Sequence, residues 1–348
     1  MHAIRLHAFG PAENLTYETT ETPSPGPGQV RIAVTASGVH LLDTSLRRGE
    51  PGPFPAPPAL PTVPGREVAG TVDALGEGTD PSWLGRRVVA HLGMPLSSGG
   101  NPQTPAGGYA ESAVTDAAKL HPVPDSLTDP EAVAMIGTGR TTLGILGFTE
   151  VTADTVAVVP AAAGGIGTLL VQYVKHVGGT VIGLAGGPAK VALVEKNGAD
   201  LAVDYLQPDW QEQVTSFLSS RGIGGATIVF DSVGGDTGLA AVDLLAPGGH
   251  HLVFGWSGKS VHDGEPLTFT EAELADRAIT SEVVLGPPML ARAGGGPNPI
   301  RTLETRSLAL AAEGVLRPAV QLYPLAEAAR AHADLENRRT VGKVVLVP

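Results

Sequence analysis

The spacing of apolar residues changes near residue 124. Before that point, short apolar runs are separated by proline and glycine, as in "QVRIAVTASGV", "REVAGTVDALG" and "GRRVVAHLG". Short runs with frequent turn residues predict a module made mostly of β-strands. Residues 47–65 are so rich in proline that they predict an extended loop within this module.

Beyond residue 124, helical and strand patterns alternate. "PDSLTDPEAVAMIGTGRTTLGILGF" predicts a pair of helices, with Asp129 as the N-cap and Pro130 at the first helical position. Continuous apolar runs follow, among them "TVAVVP", "TVIGLAG" and "ATIVFDSVGG", and each leads into a helical pattern. Strands that are apolar throughout are buried on both faces, so this region predicts a doubly wound parallel sheet.

The composition excludes several classes of partner and several kinds of chemistry. A length of 348 residues favours two domains, and a net charge of -12 argues against a nucleic-acid partner. The sequence has no long apolar run and no signal-peptide core at its start, so we expect a cytoplasmic protein without membrane contact. The absence of cysteine excludes disulfides, thiolate nucleophiles and zinc sites with sulfur ligands.

The stretch "AVVPAAAGGIGTLLVQYV" joins a buried strand to a helix through a glycine-rich turn. Gly164 and Gly167 stand where a dinucleotide-binding turn needs close backbone approach and close helix–strand packing, and Ala162 takes the place of the first glycine. Backbone N–H groups at the start of the helix would face a diphosphate. A tight turn of any α/β protein is the alternative, but the βα units that follow favour dinucleotide binding.

The end of the second strand indicates which dinucleotide binds. NAD sites usually end this strand with a carboxylate that binds the ribose 2′-hydroxyl, but residues 180–190 contain none. Lys190 and Tyr205, near the ends of the second and third strands, suit a 2′-phosphate, so NADPH is the expected cofactor. Alternatively, Lys190 is a solvated residue at a helix start.

Further motifs occur in a fixed order, namely "SGVHLLDTSLRRG", "LPTVPGREVAGTV", "GGYAES", "FDSVGG", "GGHHLVFGWSG" and "GKVVL". Together with the glycine turn they resemble the zinc-independent quinone oxidoreductase branch of the medium-chain dehydrogenase/reductase superfamily. The resemblance implies an α/β protein with two domains. Residues 1–125, completed by 289–348, would form a GroES-like β-rich catalytic domain, and residues 126–288 an NADP(H)-binding Rossmann domain with a doubly wound parallel sheet. Ligand would bind in the cleft between them.

The resemblance also bears on zinc and on the reaction. Zinc-dependent relatives carry a catalytic cysteine where this chain has His40 and a histidine where it has Arg66, and the segment 94–108 is short and has no sulfur ligand. His250 and His251 are adjacent and would point to opposite faces of a strand, so we expect no metal. Without a Lewis acid, alcohol oxidation is difficult, whereas hydride donation from NADPH to a quinone or an α,β-unsaturated carbonyl (enone) is feasible.

His40 is the candidate catalytic residue. It replaces an asparagine that lies near the substrate in relatives, and Ser45 replaces a tyrosine. Because no other tyrosine is expected nearby, His40 is the natural proton donor, with a pKa suited to neutral pH. Alternatively, His40 is a strand-end histidine bonded to the backbone.

Family positions and the glycine turn together give the expected cofactor-binding residues. By resemblance, Thr141 and the segment 254–257 would lie near the nicotinamide, and Arg338 near the cofactor phosphates. The full set is Thr141, Ala163, Gly164, Gly165, Ile166, Gly167, Gly186, Lys190, Tyr205, Phe254, Gly255, Ser257 and Arg338.

Other functions stay open at this point. An enoyl-thioester reductase or a tailoring reductase of secondary metabolism shares the fold and the hydride chemistry, whereas a non-catalytic NADPH-binding protein would have an occluded substrate cleft. Substrate contacts are expected from the loops at 50–60 and 286–299. The strand-like "AITSEVVLG" lies where relatives pair their sheets across a two-fold axis, so we expect a homodimer.

Overall fold

The computed structural model describes residues 1–50, 56–93, 107–257, 264–293 and 298–348. Most of the segment 94–108, and parts of the loops expected at 50–60 and 286–299, lie outside these residues. The chain divides into two compact units. Unit 1 is Met1–Thr138, Glu304–Ala312 and Ala319–Pro348, and unit 2 is Gly139–Leu303 and Glu313–Pro318. The domain limits drawn from the sequence stay a prediction.

Strands and helices are numbered along the chain. The strands are β1 (His2–Leu6), β2 (Leu15–Thr19), β3 (Gln29–Gly38), β4 (Glu67–Leu75), β5 (Arg87–His91), β6 (Ser112–Asp116), β7 (His121–Pro122), β8 (Val156–Val159), β9 (Thr180–Ala185), β10 (Leu201–Asp204), β11 (Ala226–Asp231), β12 (Leu245–Val253), β13 (Thr280–Val283), β14 (Val320–Pro324) and β15 (Lys343–Val347). The α-helices are α1 (Leu41–Arg48), α2 (Asp129–Ala134), α3 (Arg140–Leu146), α4 (Gly165–His176), α5 (Pro188–Lys196), α6 (Trp210–Ser220), α7 (Gly235–Val242), α8 (Glu271–Arg277), α9 (Pro287–Ala291), α10 (Pro299–Ala312) and α11 (Ala328–Glu336). Within the described ranges, no helix is long and apolar enough to cross a membrane.

Strand β3 is the centre of the unit 1 sheet. It pairs antiparallel with β4, β6 and β15, and the strand order is β14-β15-β3-β4-β5-β7. Buried residues alternate along β3, where Val30, Ile32 and Val34 enter a core that also contains Val68 and Val88. Strand β15 follows unit 2 in the sequence and still lies beside β3, so residues from both sides of unit 2 build this one sheet. The predicted β-rich module is confirmed.

Unit 2 is built on a parallel sheet with the order β10-β9-β8-β11-β12-β13. Its central strand β8 is apolar throughout, and Val158, Ile182 and Val229 belong to one core cluster with helix residues such as Val214. The chain runs from β8 outward to β10 and then returns to place β11 on the other side of β8. This reversal is the topological switch point at which doubly wound sheets bind ligands. The predicted α/β fold with a doubly wound sheet is confirmed.

The start of α2 differs from the sequence prediction by one residue. Thr128, not Asp129, is the N-cap, because the Thr128 side chain accepts a bond from the Glu131 N–H at 3.4 Å and Glu131 accepts one from the Thr128 N–H at 2.8 Å. Threonine followed three residues later by glutamate forms a reciprocal capping box. Two hydrogen bonds therefore favour Thr128 over the neighbouring Asp129 as the N-cap. Pro130 therefore occupies the second helical position. A π-helical turn, Met135–Gly139, separates α2 from α3.

Candidate functional site

The carboxyl ends of the unit 2 strands bring together most of the predicted cofactor residues. The glycine turn follows β8, Gly186 follows β9, Tyr205 follows β10 and the segment 254–257 follows β12. Because the strands are parallel, these four positions lie along one edge of the sheet, which includes the switch point. We refer to them together as the carboxyl edge.

The glycine turn is packed so closely that it admits no side chain at one position. Ala161 adopts a left-handed conformation, with φ of 52°. A Cβ on Gly167 would collide with the Ala161 carbonyl oxygen and lie 2.8 Å from the Ala162 Cα, whereas one on Gly164 would keep 3.3 Å from that oxygen. Helix α4 therefore begins directly against the turn, and its first N–H groups lack partners within the helix. This arrangement fits the diphosphate of a dinucleotide.

Tyr205 and Gly186 come together at the ends of β10 and β9. A Cβ on Gly186 would lie 2.8 Å from the Tyr205 hydroxyl oxygen, so glycine makes room for the phenol. Lys190 lies in the first turn of α5, close in sequence to both the strand end and Gly187. Lys190 and Tyr205, predicted for the 2′-phosphate, therefore border the same region of the carboxyl edge as Gly186.

A carboxylate that the sequence reading did not consider also borders this region. Asp204 ends β10 and pairs in register with Ala185, the last residue of β9. Its Oδ1 accepts bonds from the Gly187 N–H at 2.9 Å and the Leu206 N–H at 3.1 Å. The Gly187 bond lowers the pKa of Asp204 below its ordinary value. The Gly187 donor ties this carboxylate to the turn between β9 and α5, and the Leu206 donor ties it to the turn after β10.

The segment 254–257 lies against the end of β11. The Phe254 N–H donates to the Asp231 carbonyl oxygen at 2.8 Å, and the Ser257 hydroxyl donates to the Ser232 carbonyl oxygen at 3.3 Å. A Cβ on Gly255 would lie 2.6 Å from the Ser232 carbonyl oxygen, so this position also requires glycine. The segment is thus held by the neighbouring strand end.

Two predicted cofactor residues belong to other elements. Thr141 is half-buried near the start of α3, in unit 2. Arg338 is exposed just beyond α11, in unit 1, with φ of 56°. Their roles stay predictions.

His40 is part of a buried charged group in unit 1. Its Nε2 lies 2.5 Å from Glu67 Oε1, and Glu67 Oε2 lies 2.8 Å from Lys343 Nζ. The Glu67 side chain has no exposed surface and that of Lys343 is 5% exposed, whereas that of His40 is 24% exposed. We refer to His40, Glu67 and Lys343 as the Glu67 cluster.

The backbone of His40 is fixed as well. His40 is the N-cap of α1, and its N–H donates to Asp43 Oδ2 at 2.8 Å. The Asp43 carboxylate also accepts from Arg66 Nε at 3.3 Å and from the Tyr109 hydroxyl at 2.9 Å. The His40 backbone is thus hydrogen-bonded and its ring contacts a carboxylate, and its catalytic role stays a prediction.

Tyr109 corrects the expectation that no tyrosine lies near His40. It shares Asp43 with His40, and its hydroxyl lies 3.1 Å from His332 Nε2. Burial raises the pKa of Tyr109 well above its ordinary value, and the Asp43 carboxylate adds to this. Burial lowers the pKa of His332 to about 4. A buried phenol with a raised pKa is a poor proton donor, so His40 stays the better candidate.

The electrostatics of the Glu67 cluster differ from those assumed for an isolated histidine. Burial lowers the pKa of His40, the Glu67 carboxylate acts to raise it, and Lys343 acts to lower it. Burial acts to raise the pKa of Glu67, but His40 and Lys343 hold it well below its ordinary value. Glu67 is therefore ionised at neutral pH. The pKa of His40 is set by this group rather than by solvent alone.

The histidines do not form a metal site in the described ranges. No group of three His, Asp or Glu side chains there could hold a metal ion. His251 contacts Asp231 at 3.2 Å and Ser281 at 2.8 Å, whereas His250 contacts Glu282 at 3.2 Å. The two adjacent histidines have different partners, as the alternation of side chains along β12 requires.

Sequence reasoning found the carboxyl edge but missed the partners of His40. Glu67 and Lys343 each begin an apolar strand, and a charged residue there is a recognisable signal because a buried charge needs a partner. Their pairing depends on strands far apart in the sequence.

Comparisons with known proteins agree with both units. The family model described as an alcohol dehydrogenase GroES-like domain matches residues 26–125, and the one described as a zinc-binding dehydrogenase matches residues 165–285. A quinone oxidoreductase from Pseudomonas aeruginosa is 31% identical over 99% of this chain and 99% of its own. A 2-haloacrylate reductase from a Burkholderia species is 31% identical over 99% of this chain and 98% of its own.

Among solved structures, Escherichia coli quinone oxidoreductase complexed with NADPH superposes with a TM-score of 0.80 and 27% identity, covering 100% of both chains. The motifs, the two units and these relatives agree over the whole chain. The protein belongs to the quinone oxidoreductase-like medium-chain dehydrogenase/reductases and is an oxidoreductase that uses a nicotinamide cofactor.

Proposed function

We propose that this protein transfers hydride from NADPH to a quinone or to an α,β-unsaturated carbonyl compound, without zinc. The observation that carries the proposal is the carboxyl edge of unit 2, where a glycine-rich turn, Gly186 with Tyr205, and the segment 254–257 meet the switch point of a doubly wound sheet. This is the position at which such sheets bind dinucleotides.

The preference for NADPH rests on the groups around Gly186. A 2′-phosphate favours a cation and hydroxyl donors, which Lys190 and Tyr205 provide. The nearby Asp204 carboxylate ends β10 rather than β9, where the ribose-binding carboxylate of an NAD site stands, and its Oδ1 is bonded to two backbone N–H groups. The Escherichia coli relative was solved as an NADPH complex, which agrees with this choice. The residues that would hold the cofactor are Thr141, Ala163, Gly164, Gly165, Ile166, Gly167, Gly186, Lys190, Tyr205, Phe254, Gly255, Ser257 and Arg338.

Independence from zinc rests on the donor set around His40. The chain has no cysteine, and Arg66 occupies the position of a zinc-binding histidine in metal-dependent relatives. The Arg66 guanidinium bonds Asp43, and the Lys343 ammonium bonds Glu67, so both nearby carboxylates already have cationic partners. A divalent cation would have to displace them.

In this mechanism the bound cofactor supplies the hydride, and the protein orients the acceptor and controls the proton. Reduction of an enone at its β-carbon leaves an enolate, which needs a hydrogen-bond donor at oxygen and then a proton. Nε2 of His40 faces Glu67, and the capping box at the start of α1 directs the His40 side chain towards the Asp43 N–H. Protonated His40 would donate a ring proton to the enolate and become a neutral imidazole. A quinone needs this help less, because its reduced anion is stabilised by aromaticity.

The second proposal concerns assembly. Strand β13 is the last strand in the sheet order of unit 2 as far as the structure describes it, and only β12 pairs with it there. An unpaired strand edge favours pairing with another chain, so we propose a homodimer through β13. Light scattering at micromolar concentration should report twice the mass of the chain, and a monomer would contradict the proposal.

The reaction is tested with a panel of acceptors. Purified protein is assayed for oxidation of NADPH and of NADH with benzoquinones, naphthoquinones, simple enones and a 2-haloacrylate, the last because one relative carries that name. We expect turnover with at least one class and a preference for NADPH. Failure of every acceptor to oxidise NADPH would reject the reductase and leave a non-catalytic NADPH-binding protein as the better assignment.

A further inference from the structure

One buried carboxylate contacts both a histidine and a lysine in unit 1. Glu67 at the start of β4 contacts His40 with one oxygen and Lys343 at the start of β15 with the other, at 2.5 and 2.8 Å. The Glu67 carboxylate has no exposed surface, so neither contact is weakened by bulk water. A charge on Lys343 therefore acts on His40 through the carboxylate that they share.

The surroundings of Glu67 leave this carboxylate little freedom to move. A Cβ on Gly137, in the π-helical turn, would collide with Oε1, and a Cβ on Gly38, at the end of β3, would lie 2.5 Å from Oε2. The Glu67 carboxylate thus fills the space that a side chain at either position would need. The position of Oε1 in turn fixes where His40 Nε2 lies.

The other charged groups around His40 act in both directions. Arg66 acts to lower the pKa of His40, and Asp43, which binds the His40 N–H, favours the protonated ring. His91 lies opposite Glu67 on β5 and helps to hold the pKa of Glu67 low. Among these groups, Glu67 is the one in contact with the His40 ring, and Lys343 is the cation in contact with Glu67.

A proton donor in this position has two opposing requirements. It must be protonated before the reaction, which burial disfavours and a carboxylate partner favours. It must also release the proton, and an unopposed ion pair with a buried carboxylate would hold it too strongly. A carboxylate whose second oxygen is bound to lysine meets both requirements.

We propose that Glu67 and Lys343 are positioning residues that set how readily His40 gives up its proton, Glu67 by holding the imidazolium and Lys343 by weakening that hold. This inference rests on the proposed role of His40 as the proton donor in enone reduction.

The test uses the full-length protein and two isosteric changes of opposite sign. Glu67→Gln should lower the measured pKa of His40 by about one unit and Lys343→Met should raise it by a similar amount, each followed by NMR with ¹³C-labelled histidine and the His40 signal assigned by its loss in His40→Gln. Because the donor must be protonated, enone reduction is present below the pKa of His40 and is lost as pH rises through it. The fall in rate should therefore move to lower pH in Glu67→Gln and to higher pH in Lys343→Met.

Matched controls separate this effect from general damage. Glu304→Gln removes another buried carboxylate that contacts a histidine, His121, at 3.1 Å, and Lys119→Met removes another unit 1 lysine, which donates to Leu92 O at 2.9 Å. Neither should move the titration of His40. A folding defect cannot produce shifts of opposite sign in the two test variants.

The outcomes are distinct. Shifts in the same direction, or none, overturn the positioning role. Shifts in the NMR titration without a change in the pH profile overturn the link to proton donation. If no enone is reduced, the enone branch of the proposed function fails, and the NMR titration alone still decides whether Glu67 and Lys343 control His40.

Discussion

The carboxyl edge of unit 2 and the Glu67 cluster of unit 1 are built in different ways. The carboxyl edge depends on backbone and on missing side chains, since Gly167 and Gly186 make room for a carbonyl group and a phenol. The Glu67 cluster depends on three ionisable side chains from elements far apart in the sequence. The first is robust to changes in charge but sensitive to an added methyl group. The second should show both sensitivities, because glycines also border its carboxylate.

The largest effect should follow from filling the space next to Glu67. Gly137→Ala would place a methyl group on the Glu67 carboxylate and separate it from His40 or Lys343. Disrupting a buried ion pair costs about 3 kcal/mol or more, so we expect a loss of that size in the free energy of unfolding, measured by urea denaturation.

The matched control for this change is Gly93→Ala in the same unit. Among the described residues, a Cβ there would meet only Lys119 Nζ, at 3.8 Å, so the stability of this variant should stay close to that of the native protein. If Gly137→Ala is as stable as Gly93→Ala, the carboxylate of Glu67 does not occupy the described position.

The next largest effect should be on catalysis. His40→Ala removes the proposed donor and should lower the turnover of an enone by roughly 100-fold, with little change for a quinone. Its affinity for NADPH should be unchanged, because no predicted cofactor residue is altered. Steady-state kinetics with both acceptors check this, and full activity on every enone would rule out His40 as the acid.

A smaller effect, on cofactor binding, is expected from an added methyl group at the glycine turn. Gly167→Ala would push α4 away from Ala161 and Ala162. An overpacked contact costs about 1–3 kcal/mol, which corresponds to roughly 5- to 150-fold in the Kd for NADPH. Gly224→Ala is the control, since a Cβ there meets no heavy atom within 4 Å. Equal Kd values for the two variants would show that the turn does not contact the cofactor.

The smallest effect should be that of one charge on the carboxyl edge. Lys190→Ala should weaken the binding of NADPH by about 1.5 kcal/mol, which is roughly tenfold in Kd, and leave the Kd for NADH unchanged. Titration of both cofactors by fluorescence measures this difference. A native protein that binds NADH and NADPH equally would contradict the proposed role of Lys190.

The carboxyl edge and the Glu67 cluster also differ in how well the sequence predicts them. The glycine turn is contiguous, and its packing needs are local, so "AAAGGIG" predicts the turn, the helix that follows and a cofactor edge. Asp204 was missed because its approach to Gly187 depends on the register of β10 against β9, which the spacing does not contain. Glu67 and Lys343 were missed because β4 and β15 are far apart in the sequence and come close only because both pair with β3.

Tyr109 shows a further limit of the sequence. It lies far from His40 in the chain and reaches the same carboxylate, Asp43, from a backbone position beside Gly65, where the Tyr109 N–H donates to the Pro64 carbonyl oxygen at 2.9 Å. A Cβ on Gly65, where φ is 93°, would collide with the Tyr109 ring. The glycine is visible in "PGREVAG", but the aromatic ring that it accommodates is not.

The pairing of β15 with β3 has a consequence for synthesis on the ribosome. Gly38 and Val345 are neighbours in the sheet, yet all the strands of unit 2 are translated between them. Translation adds about 5–20 residues per second, so β15 is synthesised on the order of ten seconds or more after β3. During that time the nascent chain has an open strand edge, and Glu67 is made long before the lysine that neutralises it. Unit 2 can finish its own sheet first, so the nascent protein should depend on chaperones mainly through its earliest segment.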